Sequence, residues 1–284
     1  MGGFDLRKWN SNLEEVSEAI PEHHRGSAHP LSFNKEDRVK ALGLEWHPQR
    51  DMFMFNIHAK TLSTGGPTKR TVASTIASLF DPLGWLQPIM TYEGQVFMQK
   101  LWLQKLEWDD KLPPELVYEW QTYLAEMTNL RVIEVPRWIG TTSKDRIELH
   151  GFCDASRTAI AAVIYSRIVK HSEEPKARLL TAKTKVTPLA VQTIPRLELN
   201  SAVLLAKLMN QVKASVVSWT DTATHYWTDS TTVLSWLDDH PARWKTYVGD
   251  QVSEIHASST PEQWYHLRTH ENPVDCATRG PQQS

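Results

Sequence analysis

Ile147-Glu148-Leu149-His150-Gly151-Phe152-Cys153-Asp154-Ala155-Ser156 is the stretch that decides how this chain folds. Residues 147–153 make a strand-like run, and Asp154 stands at its end, just before a small residue and a hydroxyl. Asp229, in Trp227-Thr228-Asp229-Ser230, ends a second short run in the same way. Between them Glu198, in Pro195-Arg196-Leu197-Glu198-Leu199, opens a long helical pattern. Asp275, in Asn272-Pro273-Val274-Asp275, follows a helix-start signal. Acid on strand, acid on helix, acid at a strand end, acid on a late helix: that order can bring four carboxylates to one rim of a sheet. Such a rim holds two hard divalent cations, and two cations can cut a phosphodiester. Each acid alone is weak, because most Asp and Glu are simply solvated. Asp229 reads equally well as a helix N-cap, and Glu198 as a first-turn acid favoured by the helix dipole.

Outward from this stretch, residues 159–168 and 178–185 are further strand-like runs with hairpin-sized connections. Residues 196–217 carry Leu197, Val203, Leu204, Leu208 and Val212 at helical spacing. A short strand at 224–228, helices at 231–237 and 243–255, a strand at 262–267 and a helix from Asn272 complete the pattern. The fold class is therefore α/β, a mixed sheet flanked by helices, over residues 146–284. Residues 1–145 read differently. A hairpin is expected from Val39 to Trp46 and from Met52 to Ile57, around His47-Pro48-Gln49-Arg50-Asp51. Helices follow at 68–80, 92–108 and from Pro113-Pro114, with Leu116, Trp120, Leu124 and Met127 inward. Arg137 to Asp145 looks like a linker, so the boundary is placed near residue 145. The stretches 1–36 and 61–67 are polar, punctuated loops, and the His23-His24 pair belongs to the first of them.

Composition narrows the function classes. The chain has 284 residues and a formal charge of -2, so nucleic acid is not announced by net charge and attraction to phosphate has to be local or metal-borne. The twelve tryptophans are read mainly as packing. Two cysteines, Cys153 and Cys276, make neither a zinc-spacing motif nor a disulfide framework. A reducing compartment follows, cytoplasmic or nuclear. The start has no apolar core of a secretory signal, Leu6 argues against myristoylation at Gly2, and no window reaches 18 apolar residues, so no membrane partner is expected.

The local words are more specific than the order. Gly151-Phe152-Cys153-Asp154-Ala155-Ser156, Ile194-Pro195-Arg196-Leu197-Glu198-Leu199, Trp227-Thr228-Asp229-Ser230 and the run from Glu271 to Gly280 resemble the RNase H segment of BEL/Pao-type LTR retrotransposon polyproteins. Phe4 to Asn12, Ala41 to Trp46 and Lys69 to Gly84 are similar to the region just after the reverse-transcriptase palm in the same elements. The first 145 residues would then be a thumb and connection remnant without the palm, derived from a larger Pol polyprotein. A Tyr-x-Asp-Asp turn does not occur, and neither Asp109-Asp110 nor Asp238-Asp239 lies in a strand-turn-strand context. Families of this kind are sometimes labelled Pao retrotransposon peptidase, yet an Asp-Ser/Thr-Gly protease motif is absent.

The resemblance implies an RNase H fold and cleavage of the RNA strand of an RNA-DNA hybrid. It implies Asp154, Glu198, Asp229 and Asp275 as catalytic acids binding two Mg²⁺, with Mn²⁺ able to substitute. It also implies a mobile histidine before the last acid: His266, with His270 as runner-up. Ser156, Arg157, Asn200 and Ser230 are expected to touch backbone and 2′-OH groups. Lys69 and Arg70 are candidate hybrid contacts, and the basic set Lys183, Lys185 and Arg196 reads either as facing phosphates or as a solvated face. The other reading is a catalytically silent nucleic-acid-binding or structural remnant.

Overall fold

The computed structural model describes residues 7, 9–25, 39–41, 44–55, 66–79, 81–87, 90, 92–129, 133–142, 145–170, 173–215 and 222–279. The loop segments 26–36 and 61–65, strand residues 56 and 57, the end of the 196–217 helix and most of Phe4 to Lys8 lie outside the described residues. The chain divides into two compact units. One comprises Met1–Thr61 with Gln121–Ile139, the other Leu62–Trp120 with Gly140–Ser284.

The first unit is built on an antiparallel sheet of β1 (Val39–Ala41), β2 (Leu44–His47), β3 (Met52–Phe55) and β4 (Glu134–Pro136), in that order. The expected turn closes β2 to β3. Asp51 takes the left-handed conformation, φ 50°, and its carboxylate accepts from the Trp46 indole at 3.0 Å and from the Arg137 guanidinium. β4 lies in what reads as the helix-to-linker passage; three residues are too short to show an alternation. Helix α1 (Glu14–Ala19) buries nothing.

The second unit opens with α2 (Lys69–Ala77) and α3 (Tyr92–Leu103) and includes the start of α4 (Pro114–Asn129). Thr68 and Thr71 cap α2 reciprocally. The buried stripe of α4 is Leu116, Trp120, Tyr123 and Met127, with Tyr123 rather than Leu124 inward. The larger sheet contains β5 (Arg146–Ala155), β6 (Ala159–Val169), β7 (Lys176–Val186), β8 (Ala223–Thr228) and β9 (Trp264–His266) in the order β7-β6-β5-β8-β9. β6 is antiparallel to both of its neighbours, while β5, β8 and β9 run parallel. This is a mixed sheet flanked by helices, as the pattern of runs implies.

One face is covered by α5 (Ile194–Ser215), with α6 (Thr231–Asp238) and α7 (Thr246–His256) beside it. Leu149, Cys153 and Ile164 from the sheet meet Leu199, Leu205 and Met209 of α5 in one core. Gly151 lets α5 approach: a Cβ there would lie 2.5 Å from Leu205 Cδ1. Part of the other face is closed by α8 (Asp275–Arg279), through Val274 and Ala277 on Ala161, Val163 and Ala182.

Residues 62–120 group with this sheet rather than with the first unit, so the division differs from one drawn at residue 145. The cause is β7, an edge strand whose backbone groups need partners. The segment 81–87 supplies them: Ala182 N–H donates to the Leu83 carbonyl at 2.9 Å, and the Trp85 indole to the Leu180 carbonyl at 3.0 Å. The Thr184 N–H reaches Gln87 Oε1 at 3.0 Å. Asp81 holds the segment's shape by accepting from the N–H groups of Trp85, Leu86 and Gln87.

Candidate active site: an acidic rim at the sheet end

Asp154 and Asp229 come together because β5 and β8 are parallel neighbours with Cys153 opposite Thr228. The next residue on each strand is an aspartate, at the C-terminal end of the sheet. Asp154 is only 4% exposed. Burial pushes its carboxyl above the ordinary carboxylate range, the Thr278 hydroxyl opposes that shift, and the charges of Asp229 and Asp275 add to it. Two of the other three acids therefore act on Asp154.

Ser230, not Asp229, caps α6: its hydroxyl accepts from the Val233 N–H at 3.2 Å. Asp229 is thus released from the capping role. The Ser230 hydroxyl also donates to Glu198 Oε2 at 2.7 Å, fastening the helix acid to the residue after Asp229. Helix α5 starts at Ile194, so Glu198 stands beyond its first turn and the dipole gives no reason for an acid there.

Asp275 is brought in by α8, which is anchored despite its five residues. The Asn272 amide donates to the Cys153 carbonyl at 3.0 Å, and its Oδ1 accepts from the Val274 N–H. The Thr278 hydroxyl donates to Asp154 Oδ2, and the Ser156 hydroxyl to the Thr278 carbonyl at 2.7 Å. Sequence reasoning missed Thr278 and gave Asn272 only a helix-start role. Asn272→Ala is expected to lower stability by about 2 kcal/mol, because a buried carbonyl loses its donor and the turn its acceptor. Thermal unfolding measures it.

The remaining expected contacts divide. Arg157 is exposed beside the rim, and Lys185 and Arg196 are exposed. The Arg196 guanidinium lies 4.8 Å from the Tyr247 ring. Asn200 is engaged on both sides, accepting from Tyr247 at 2.8 Å and donating to Gln192 at 3.2 Å. The Ser156 and Ser230 hydroxyls are occupied by the internal bonds above. His266 pairs with Thr228 at the end of β9, next to Asp229, and is exposed. His270 is exposed in the turn Thr269–Glu271. Of the Lys69 and Arg70 pair, Lys69 is covered, whereas Arg70 is exposed and ion-paired. Lys69 is 2% exposed, its Nζ 3.2 Å above the Trp102 ring and bonded to the Leu106 carbonyl. Arg70 holds Asp109 through two bonds, of 2.7 and 2.9 Å. A basic pair at a helix start reads as solvent-facing, but the indoles of Trp102 and Trp108 cover the first of the two.

An all-oxygen set of acids, one of them buried against its neighbours' charge, fits hard divalent cations. The Cys153 thiol, pushed up to about 12 chiefly by burial, with the charges of Asp154 and Asp229 contributing, stays protonated and adds no ligand. No three of the acids bring their oxygens into one tight cluster. Among the described residues, the group of three whose ligand atoms all lie within 4.8 Å is Glu148, His150 and His225, elsewhere on the sheet. The Thr278 hydroxyl holds Asp154 and the Ser230 hydroxyl holds Glu198.

A family model described as "Pao retrotransposon-like RNaseH-like domain" matches residues 68–230. No curated protein matches the sequence. Among solved structures, the chain is similar to a foamy viral protease-reverse transcriptase in complex with dsDNA, at 11% identity and TM-score 0.44, over 82% of this chain and 45% of that one. It is similar to RNase H1 from the archaeon Halobacterium salinarum at 14% identity and TM-score 0.29, over 43% of this chain and 87% of that one. It is also similar to LC11-RNase H1 in complex with an RNA/DNA hybrid, at 12% and 0.29, over 45% and 89%. The matched part is thus under half of the viral chain's length. The family model spans more than half of the present chain and contains Asp154, Glu198 and Asp229. The chain belongs to the Pao retrotransposon-like RNaseH-like domain family.

Proposed function

We propose that this protein is a divalent-metal-dependent endoribonuclease that cleaves the RNA strand of RNA-DNA hybrids. The observation that carries the reading is Asp154: a nearly buried carboxylate, raised by burial and by two more acids, with Glu198 fastened beside them through Ser230. Two Mg²⁺, or Mn²⁺ in their place, would supply an activated water and charge relief at the leaving 3′-oxygen. The protein's own part is to hold the ligands. Asp154 and Asp229 project from adjacent rigid strands, Glu198 from α5, and Asp275 from the anchored α8. His266 stands at the rim as the group that takes or returns a proton. Arg157, Lys185 and Arg196 supply the local positive charge that the net charge of -2 does not.

The test is cleavage of an end-labelled RNA-DNA hybrid in Mg²⁺ and Mn²⁺, with Asp229→Asn as control. The expected result is internal cuts in the RNA strand by the wild type and none by the variant. Binding without cleavage in either metal supports the silent nucleic-acid-binding remnant instead.

A further inference from the structure

A second group of ligating side chains lies on the sheet face opposite α5. Glu148 and His150 are two apart on β5 and so share a face. His150 pairs in register with His225 on β8, and the two rings stack with centroids 4.7 Å apart. The ligand atoms of Glu148, His150 and His225 all lie within 4.8 Å of one another, with Glu148 buried and both histidines half-buried. Four residues of extended strand separate His150 from Asp154, about 13 Å. The stacked rings of Phe152 and Trp227 stand between the group and the acidic rim.

We propose that Glu148, His150 and His225 form a binding site for a borderline transition-metal ion of the Zn²⁺ type, separate from the acidic rim. Two imidazole nitrogens and one carboxylate oxygen are the donors such ions prefer and Mg²⁺ does not. All three ligands project from paired strands, so the backbone already sets their spacing. Three ligands leave a fourth tetrahedral position for water.

The two imidazoles stack nearly parallel, at 18°, so one ring has to turn about its side-chain torsions for both in-plane lone pairs to meet on one ion. Two further features oppose binding and set its strength. Arg146 and Arg167 hold Glu148 at 2.8 and 2.7 Å, placing positive charge beside the ion. Their side chains are 72% and 44% exposed, so each can turn to solvent, and a carboxylate has lone pairs for an arginine and a metal together. A dissociation constant in the micromolar range is therefore expected. The Trp227 indole also donates to His150 Nδ1 at 3.2 Å, which puts the ring proton on Nε2, 3.5 Å from Glu148 Oε2. Ligation through Nε2 moves that proton to Nδ1 and releases the indole, with no net loss of protons. The ion would tie β5 to β8 at the end of the sheet away from the acids.

The experiment is titration of the full chain with Co²⁺, read by its visible d–d absorption and by competition with Zn²⁺. One tetrahedral band saturating at one equivalent, displaced by Zn²⁺, is expected. It should persist in Asp154→Asn and weaken at least tenfold in His225→Ala. At a hundredfold excess over the dissociation constant, Zn²⁺ should raise the wild-type Tm by about 5 °C. Absence of the band from the wild type overturns the proposal, as does its survival at full strength in His225→Ala or its loss in Asp154→Asn. Should His225→Ala fail to fold, Arg167→Gln decides. Removal of a neighbouring cation tightens Co²⁺ binding about tenfold if the site is real, and unchanged affinity overturns it.

Discussion

Asp154→Asn is expected to reduce hybrid cleavage by about a thousandfold or more, while leaving the metal-free protein as stable as the wild type or more so. The two effects share one cause. Asp154 is a buried acid facing two others, so its folded-state carboxyl is raised above its unfolded value. The folded protein then binds the proton more tightly than the unfolded chain. Stability from this group is full below the ordinary carboxylate range, at about pH 3.9, and is lost as pH rises through the raised folded value. Above that value the ionised residue is a standing penalty. Asparagine removes the penalty and still accepts from the Thr278 hydroxyl. A metal ion also removes it, so Mg²⁺ should raise the wild-type Tm at pH 7 and leave Asp154→Asn nearly unmoved. Acidification should weaken Mg²⁺ binding, because protons compete for the same oxygens. Paired melting curves of wild type and variant across pH isolate this group from Glu148. That residue behaves oppositely: the Arg167 bond holds its carboxyl low, so its contribution is lost on acidification. A variant much less stable than the wild type at pH 7 would contradict the electrostatic reading of the rim.

Gly84→Ala should be the most damaging small substitution outside the rim, lowering stability by at least about 3 kcal/mol. Gly84 has φ +72°, and a Cβ there would stand 1.7 Å from the Ala182 carbonyl oxygen. That contact is with backbone, so no rotamer change relieves it. The substitution has to push the 81–87 segment off the edge of β7 and break the bonds that Ala182 and Thr181 donate to the Leu83 carbonyl and that Trp85 donates to the Leu180 carbonyl. A fall in Tm of at least about 5 °C is expected, measured calorimetrically. Cleavage at low temperature should change little, since none of the acids is touched. A variant that melts with the wild type would show that the segment does not hold the edge.

The second half of the chain was legible because its signals are local. Strand runs, caps and a 3.6-residue stripe each lie within about twenty residues, and the four acids fall at the ends of the elements so defined. Boundaries moved by a few residues: the expected helix from Arg196 begins at Ile194, and the one from Arg243 at Thr246. What stayed hidden depends on contacts between distant parts of the chain. Thr278 matters only because α8 meets the end of β5. Residues 81–87 serve an edge strand about a hundred residues later. Lys69 is covered by indoles from the last turn of the next helix and from just beyond it. Glu148, His150 and His225 become one group only through parallel pairing of β5 with β8, which no short window shows.

Diffraction from crystals soaked in Mn²⁺, recorded for anomalous scattering, would locate the ions themselves at the acidic rim. Ions are expected on Asp154 and Asp229, with Glu198 and Asp275 completing the ligand set. Anomalous density found only at Glu148, His150 and His225, or none beside Asp154 at saturating Mn²⁺, would contradict that placement.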